Sequence, residues 1–330
     1  MSSPSPSQPR SRRPYEAIFA FSALAVVLLL GMAFNANGVF FQPSVHADVL
    51  WQLAGFGILA CGLTLVILAG GIDLSVGSVV ALSGVVFAIL SMREELSPWI
   101  AVPVAIGFGA ACGFVNGLLV AFVRLQPFIA TLAMMAFARG LAKSDLLSRG
   151  VKIQKMPPPP IVDLLNAKVG LGAVSVSFGT LLFLACFLAT LVALRQLRFG
   201  RHVYAIGDNQ QAAWLSGIPV RRTQVLAYTA CGLLAGIAGV LFAGIERQGN
   251  PDGGAGYELT AIAMVVVGGT SLSGGKGGVT LTLLGALTIG YVRKILDLNG
   301  VATPAQLMLT GAIVVLAVLV QRLPSRFASP

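Results

Sequence analysis

The chain is a succession of long runs without charge. Residues 49–72, 74–92, 96–123, 169–194 and 223–245 contain no charged side chain, and neither do 17–47 and 300–320. A helix needs about 20 residues to cross a bilayer. The runs and the polar breaks between them predict helices near 16–34, 48–70, 76–92, 98–123, 127–142, 174–194, 224–245, 258–269, 279–293 and 305–320. Three of these, 127–142, 258–269 and 279–293, are short for a span and read as halves of broken or re-entrant helices. The expected fold is all-α, a polytopic transmembrane bundle of about nine or ten spans.

Composition removes the soluble alternative. Of 330 residues, 56% are apolar and 10% charged, against roughly 25% charged in an average soluble domain. The net charge of +10 is explained by its placement rather than by a nucleic-acid partner. Arg10, Arg12 and Arg13 precede the first span, and Arg322 and Arg326 follow the last. Arg195, Arg198, Arg201, Arg221 and Arg222 bracket a polar segment, 195–223, whose one acid is Asp208. Short basic segments beside spans stay cytoplasmic, so both termini and 195–223 are expected on that side. The Ser/Pro-rich start, 1–15, reads as a disordered cytoplasmic extension, 16–322 as the transmembrane domain, and 323–330 as a cytoplasmic tail. The first apolar run lacks a small-residue cleavage site and is expected to be a retained helix. The segment 143–172 fits least: Lys143, Arg149, Lys152, Lys155 and Lys168 fall outside by count, and Pro157 to Pro160 predict an extended surface loop.

Cys61, Cys112, Cys186 and Cys231 sit in apolar runs without a CxxC pair, and His46 and His202 stand alone. No disulfide, metal site or catalytic cluster is expected. Leu272-Ser273-Gly274-Gly275-Lys276 imitates nucleotide-binding signatures, but a P-loop needs glycine where Thr270 stands and Ser/Thr where Gly277 stands.

An internal echo is more informative. Leu68-Ala69-Gly70-Gly71-Ile72-Asp73-Leu74-Ser75-Val76-Gly77 resembles Val266-Val267-Gly268-Gly269-Thr270-Ser271-Leu272-Ser273-Gly274-Gly275, and Gly113-Phe114-Val115-Asn116 is echoed by Gly290-Tyr291-Val292-Arg293. Transporters are often built from two related halves whose discontinuous helices line the substrate path. Two related halves with broken helices are therefore expected. Asp73 is the one charge between Asp48 and Arg93. A carboxylate within a membrane domain needs water, protein or an ion, so Asp73 either caps the helix after Gly70-Gly71 or lines a solute path. On the same grounds Ser75, Asn116, Phe128, Ser271 and Ser273 are candidates for that path. In 195–223 a short amphipathic helix is expected from about Asn209, ended by Gly217.

Several motifs together carry a resemblance. Gly70-Gly71-Ile72-Asp73-Leu74-Ser75-Val76-Gly77-Ser78, Pro127-Phe128-Ile129-Ala130-Thr131-Leu132, Gly200-Arg201-His202-Val203-Tyr204-Ala205-Ile206-Gly207 and Gly256-Tyr257-Glu258-Leu259-Thr260-Ala261-Ile262-Ala263 resemble the permeases of ribose/xylose/arabinose-type ABC sugar importers. The likeness covers roughly residues 48 to 320. It implies a bacterial inner-membrane permease subunit, itself no enzyme, that forms the path for a sugar-like solute. It further implies a second permease copy or a paralogue, ATPase subunits that bind the ATP, and a periplasmic solute-binding protein. Gly207, Gln211, Ala212, Ala213 and Gly217 correspond to the coupling loop that docks on the ATPase. An ion-coupled secondary transporter is the alternative, but Asp73, Arg139 and Lys276 are few intramembrane charges for one. The chain departs from the family pattern at Gln210 and Gln211, where acids are usual, and at Thr260, where an aspartate is usual. It departs again at Arg293 and Lys294, where asparagines are common, and at Pro304 and Ala305, where an aromatic pair is. These changes leave the solute open.

Overall fold

The structure is a computed structural model that describes residues 15–150, 152–171 and 174–326. The expected N-terminal extension up to residue 14 and residues 327–330 of the expected tail lie outside the described residues. The helices are α1 (Tyr15–Ala33), α2 (Pro43–Leu68), α3 (Val76–Ala88, continued by a π-turn Ile89–Arg93), α4 (Pro98–Ala121), α5 (Pro127–Lys143) and α6 (Pro160–Asn166). A hairpin of β1 (Lys168–Leu171) and β2 (Val174–Ser177) comes next. It is followed by α7 (Phe178–Arg195), α8 (Arg198–Asp208), α9 (Gln210–Leu215), α10 (Val220–Ile245), α11 (Tyr257–Val267), α12 (Val279–Leu298) and α13 (Thr303–Arg326).

Each of the ten expected helices has a counterpart, and six are long and apolar enough to cross a bilayer: α2, α3 with its π-turn, α4, α7, α10 and α12. The chain is a multi-pass helical membrane bundle. Of the three segments expected to be short, α12 has 20 residues and is full length, α5 has 17, and α11 has 11. At about 1.5 Å per residue α11 covers roughly 16 Å, half a bilayer core of ~30 Å. Residues 174–177, expected to begin a helix, instead form β2, paired antiparallel with β1 from Leu171↔Val174 to Lys168↔Ser177. Alternating Val-Ser-Val-Ser favours the pleated strand. The helix waits for Ser177, whose hydroxyl accepts from the Thr180 N–H at 3.1 Å. The tetraproline is only partly extended, because Pro160 opens α6, where a missing N–H costs nothing.

α10 is the axis of the bundle, packed against α2, α3 and α4. Gly109, Gly113 and Gly117 of α4 face Gly232, Gly236 and Val225 of α10, and a Cβ at any of the three would overlap the opposite backbone. Close approach along small-residue ridges is the usual way helices associate where lipid supplies no hydrophobic drive. Phe114, Phe122, Phe128 and Phe137 are exposed on the other faces of α4 and α5.

The helix ends gather into two opposite sets. At one end the α2–α3 and α11–α12 breaks meet α8. At the other, 143–172 packs on the loop after α10: Ile153 pairs with Gly249, Lys143 with Asp252, and Arg247 with Asp163 at 3.6 Å. Lys155 pairs with Glu95, and Lys168 lies 5.5 Å over the Trp51 ring. Of the segment's five misfit basic residues, Lys143 and Lys155 thus pair with acids and Lys168 with a ring. The Lys143 ammonium holds the Asp252 carboxyl below its usual range.

Candidate functional site

Both breaks are built by the same backbone device. After α2, Gly70 N–H donates to Ile67 O (2.9 Å) and Gly71 N–H to Val66 O (3.0 Å), with Gly70 at φ 81°. After α11, Gly269 N–H donates to Val266 O (2.8 Å) and Thr270 N–H to Val265 O (3.2 Å), with Gly269 at φ 96°. These are paired Schellman closures, which need a left-handed residue just past the helix. Gly70 therefore corresponds to Gly269, one position off the register that matching Gly-Gly to Gly-Gly suggests. Asp73 stands opposite Leu272, not Ser271.

The first break carries a sealed polar cluster. Asp73 Oδ1 accepts from Ser75 N–H (2.9 Å) and Ser75 Oγ (2.6 Å), and Asn116 Nδ2 of α4 donates to Ser75 Oγ (3.0 Å). Asp73 and Ser75 are 1% exposed and Asn116 is 0% exposed. Tyr228 and Cys231 of α10 close the cluster, and the buried Asn116 Oδ1 and Tyr228 hydroxyl have no hydrogen-bond partner among the described residues. Ser271 and Ser273 are not part of it: Ser271 is half-buried and Ser273 exposed on the second break. Phe128 is 54% exposed and turned away. From its helix it is Thr131 that reaches the break, donating to Ile72 O at 3.3 Å. The structure thus joins Asp73, Ser75 and Asn116 and keeps Phe128, Ser271 and Ser273 apart from them.

The two breaks also touch one another. Gly275 N–H donates to Leu68 O at 3.0 Å, and Gly207, near the end of α8, fits against both, so a Cβ there would overlap Leu68 O and the Gly275 amide. Tyr204 of α8 adds a bond from its hydroxyl to Gly277 O (3.0 Å). α8 buries Gly200, Val203 and Ile206. α9 is the helix expected after Asn209, whose side chain caps it by accepting from Ala212 N–H (2.9 Å). Gly217, at φ 80°, ends α9 with the same Schellman pair. Gln211, Ala212 and Gly217 are exposed, whereas Ala213 is buried beside Ile206 and Val220. Trp214 and Leu215, which sequence reasoning passed over, are 67% and 71% exposed and form the apolar tip of this element.

A second cluster lies deeper and was not expected. Phe56 of α2, Phe242 of α10 and Tyr257 of α11 form a triad with ring centroids 4.7 to 5.4 Å apart. The Arg293 guanidinium of α12 lies 5.1 Å from the Phe56 ring centre and donates to Thr260 Oγ1 at 2.8 Å. Two departures noted in the sequence, at Thr260 and Arg293, are therefore one contact. The signal was present in those departures, but nothing in the sequence joined them.

The family described as branched-chain amino acid transport system / permease component matches residues 45–318. The chain belongs to this family. The permease is 39% identical over 307 residues to the ribose import permease protein RbsC of Escherichia coli K12, covering 91% of this chain and 92% of that one. It is 37% identical over 299 residues to the ribose import permease protein RbsC of Bacillus subtilis, 91% of each chain. It is 34% identical over 306 residues to the fructose import permease protein FrcC of Rhizobium meliloti, 91% of this chain and 84% of that one. No solved structure matches the permease significantly. Membership favours an ABC permease over the ion-coupled alternative.

Proposed function

We propose that this permease forms the translocation path of an ATP-driven importer for a sugar or sugar-like solute, delivered by a periplasmic binding protein. In this reading ATP is bound and hydrolysed by a separate ATPase subunit, and a second copy of the chain or a paralogue completes the path. The permease resides in the bacterial inner membrane with both termini and 195–223 cytoplasmic. The names of relatives that are 34 to 39% identical over most of the chain support the solute class.

The observation that carries the coupling is the seat of Gly207. α9 presents Gln211, Ala212, Trp214, Leu215 and Gly217 outward for the ATPase, while α8 rests by Gly207 on the backbones of both breaks. A displacement of α8–α9 then acts on both breaks together, parting the Gly275–Leu68 contact. Asp73, Ser75, Asn116, Ser271 and Ser273 would border the passage so opened, offering hydroxyl-binding groups without a single tight clamp.

The test is reconstitution in liposomes. With its ATPase and binding protein the permease should import a sugar only when ATP is supplied. Alone it should neither hydrolyse ATP nor take up solute on a proton or sodium gradient. Gradient-driven uptake by the chain alone would overturn the proposal.

A further inference from the structure

We infer that the Arg293 cluster is a subsite, on the side of the path away from α8, for a polyhydroxyl solute carrying one acidic group, a carboxylate or phosphate. The inference rests on the importer reading above and narrows its solute class. The cluster lies well away from the breaks, towards the opposite end of the bundle: Phe242 is one turn from the end of α10 at Ile245, and Arg293 is roughly 8 Å from the end of α12 at Leu298. At about 1.5 Å per helical residue, Phe56 lies roughly 18 Å from the end of α2 at Leu68, and Tyr257 roughly 15 Å from the end of α11 at Val267. Arg293 lies roughly 21 Å from the start of α12 at Val279. Phe56, Phe242, Tyr257 and Arg293 are all half-buried, so the cluster is an open face rather than a filled core.

Charge decides what this face would hold. Among the described residues no carboxylate lies within ion-pair distance of Arg293; the nearby Lys294 has Asp48 at 3.5 Å. Asp297, one turn further along α12, already accepts from Gln306 Nε2 at 2.7 Å. Glu246, at the end of α10 on the Tyr257 side, is also beyond ion-pair reach. Of five guanidinium donors, one is used among the described residues, on Thr260. With no acid in direct contact the guanidinium keeps N–H groups unused, and a planar fork of this kind matches the two oxygens of a carboxylate or phosphate. The aromatic rings supply flat apolar faces of the kind that pack against a sugar ring. A lipid phosphate is a second source of the same chemistry, but the fork is held inward over Phe56 by Thr260, which is 5% exposed.

The test is thermal unfolding of the full-length permease in an uncharged, lipid-free detergent, with D-glucuronate against D-glucose at equal ionic strength. Glucuronate should raise the midpoint and glucose should not. Arg293→Gln should abolish the shift, Arg293→Lys should keep part of it, and Lys294→Gln should leave it unchanged. An equal response to both sugars, no response to either, or a shift that survives in Arg293→Gln would overturn the inference. Should Arg293→Gln fail to fold, a full shift in Arg293→Lys together with a lost shift in Lys294→Gln would overturn it too. A shift from short-chain phosphatidic acid larger than that from glucuronate would assign the fork to lipid and overturn it as a solute subsite. The importer reading is judged separately by ATP-dependent uptake in liposomes. Uptake there without a glucuronate preference here defeats only the acidic-solute inference.

Discussion

Asp73 is held by neighbours that are almost all local. Its oxygen satisfies the Ser75 N–H and hydroxyl, and Asn116 ties that hydroxyl to α4. Asp73→Asn preserves the acceptor and should change stability by no more than about 1 kcal/mol, a typical net worth for one hydrogen bond. Asp73→Val leaves buried donors without an acceptor and should cost about 1–3 kcal/mol; thermal unfolding of the purified permease reads both. Burial makes a sharper prediction for access. In a background lacking the four native cysteines, cysteines at 73, 75 and 116 should resist a water-soluble thiol reagent in the resting state, while one at 273 should react. Labelling at 73 or 116 without ATP would contradict the sealed cluster. Asp73 was legible in the sequence because it is a lone charge in an apolar stretch. Tyr228 and Cys231 were not, since only the packing of α10 on the break brings them there.

At the scale of elements, glycine does two different jobs in the α8–α9 segment. Gly207 is a matter of space and Gly217 of backbone conformation. Gly207→Ala drives a methyl into Leu68 O and the Gly275 amide, an overpacking cost of about 1–3 kcal/mol. It should also sharply reduce ATP-driven uptake by wedging the breaks apart. Gly217→Ala meets open space and should cost roughly 1–2 kcal/mol through its left-handed φ alone, with fraying confined to α9. Circular dichroism melts and uptake assays should rank the two in that order, and equal uptake by Gly207→Ala and wild type would refute the seat. The positions of the long helices were readable because uncharged runs and bilayer thickness fix them. α8 was legible but not read: Val203 and Ile206 recur at helical spacing on its buried face among charged and polar residues. The two breaks close alike but one residue out of step with the echo: sequence aligns Gly-Gly pairs, whereas helix closure aligns the single left-handed glycine.

For the whole molecule, the paired charges opposite α8 explain why a basic segment is tolerated where the count of spans puts it. Lys143 and Lys155 are tied to Asp252 and Glu95, Asp163 is tied to Arg247, and Arg139 of α5 donates to Pro251 O (2.8 Å) and Gly253 O (2.5 Å) of the loop after α10. That loop leads down to α11, whose 11 residues reach only about half-way through a bilayer core. A ribosome delivers these parts in order, and the order matters. When α11 leaves the ribosome it is too short to be threaded across on its own, and α12, against which it packs, has not yet been made. The last quarter of the chain should therefore enter the membrane late and together, with α11 waiting at the insertion machinery for α12. A chain stopped after residue 278 should be degraded quickly in cells, whereas one carried through residue 298 should persist longer; pulse-chase measurements would show the difference. A half-helix of the mature protein should thus be, during synthesis, the segment that quality control inspects longest.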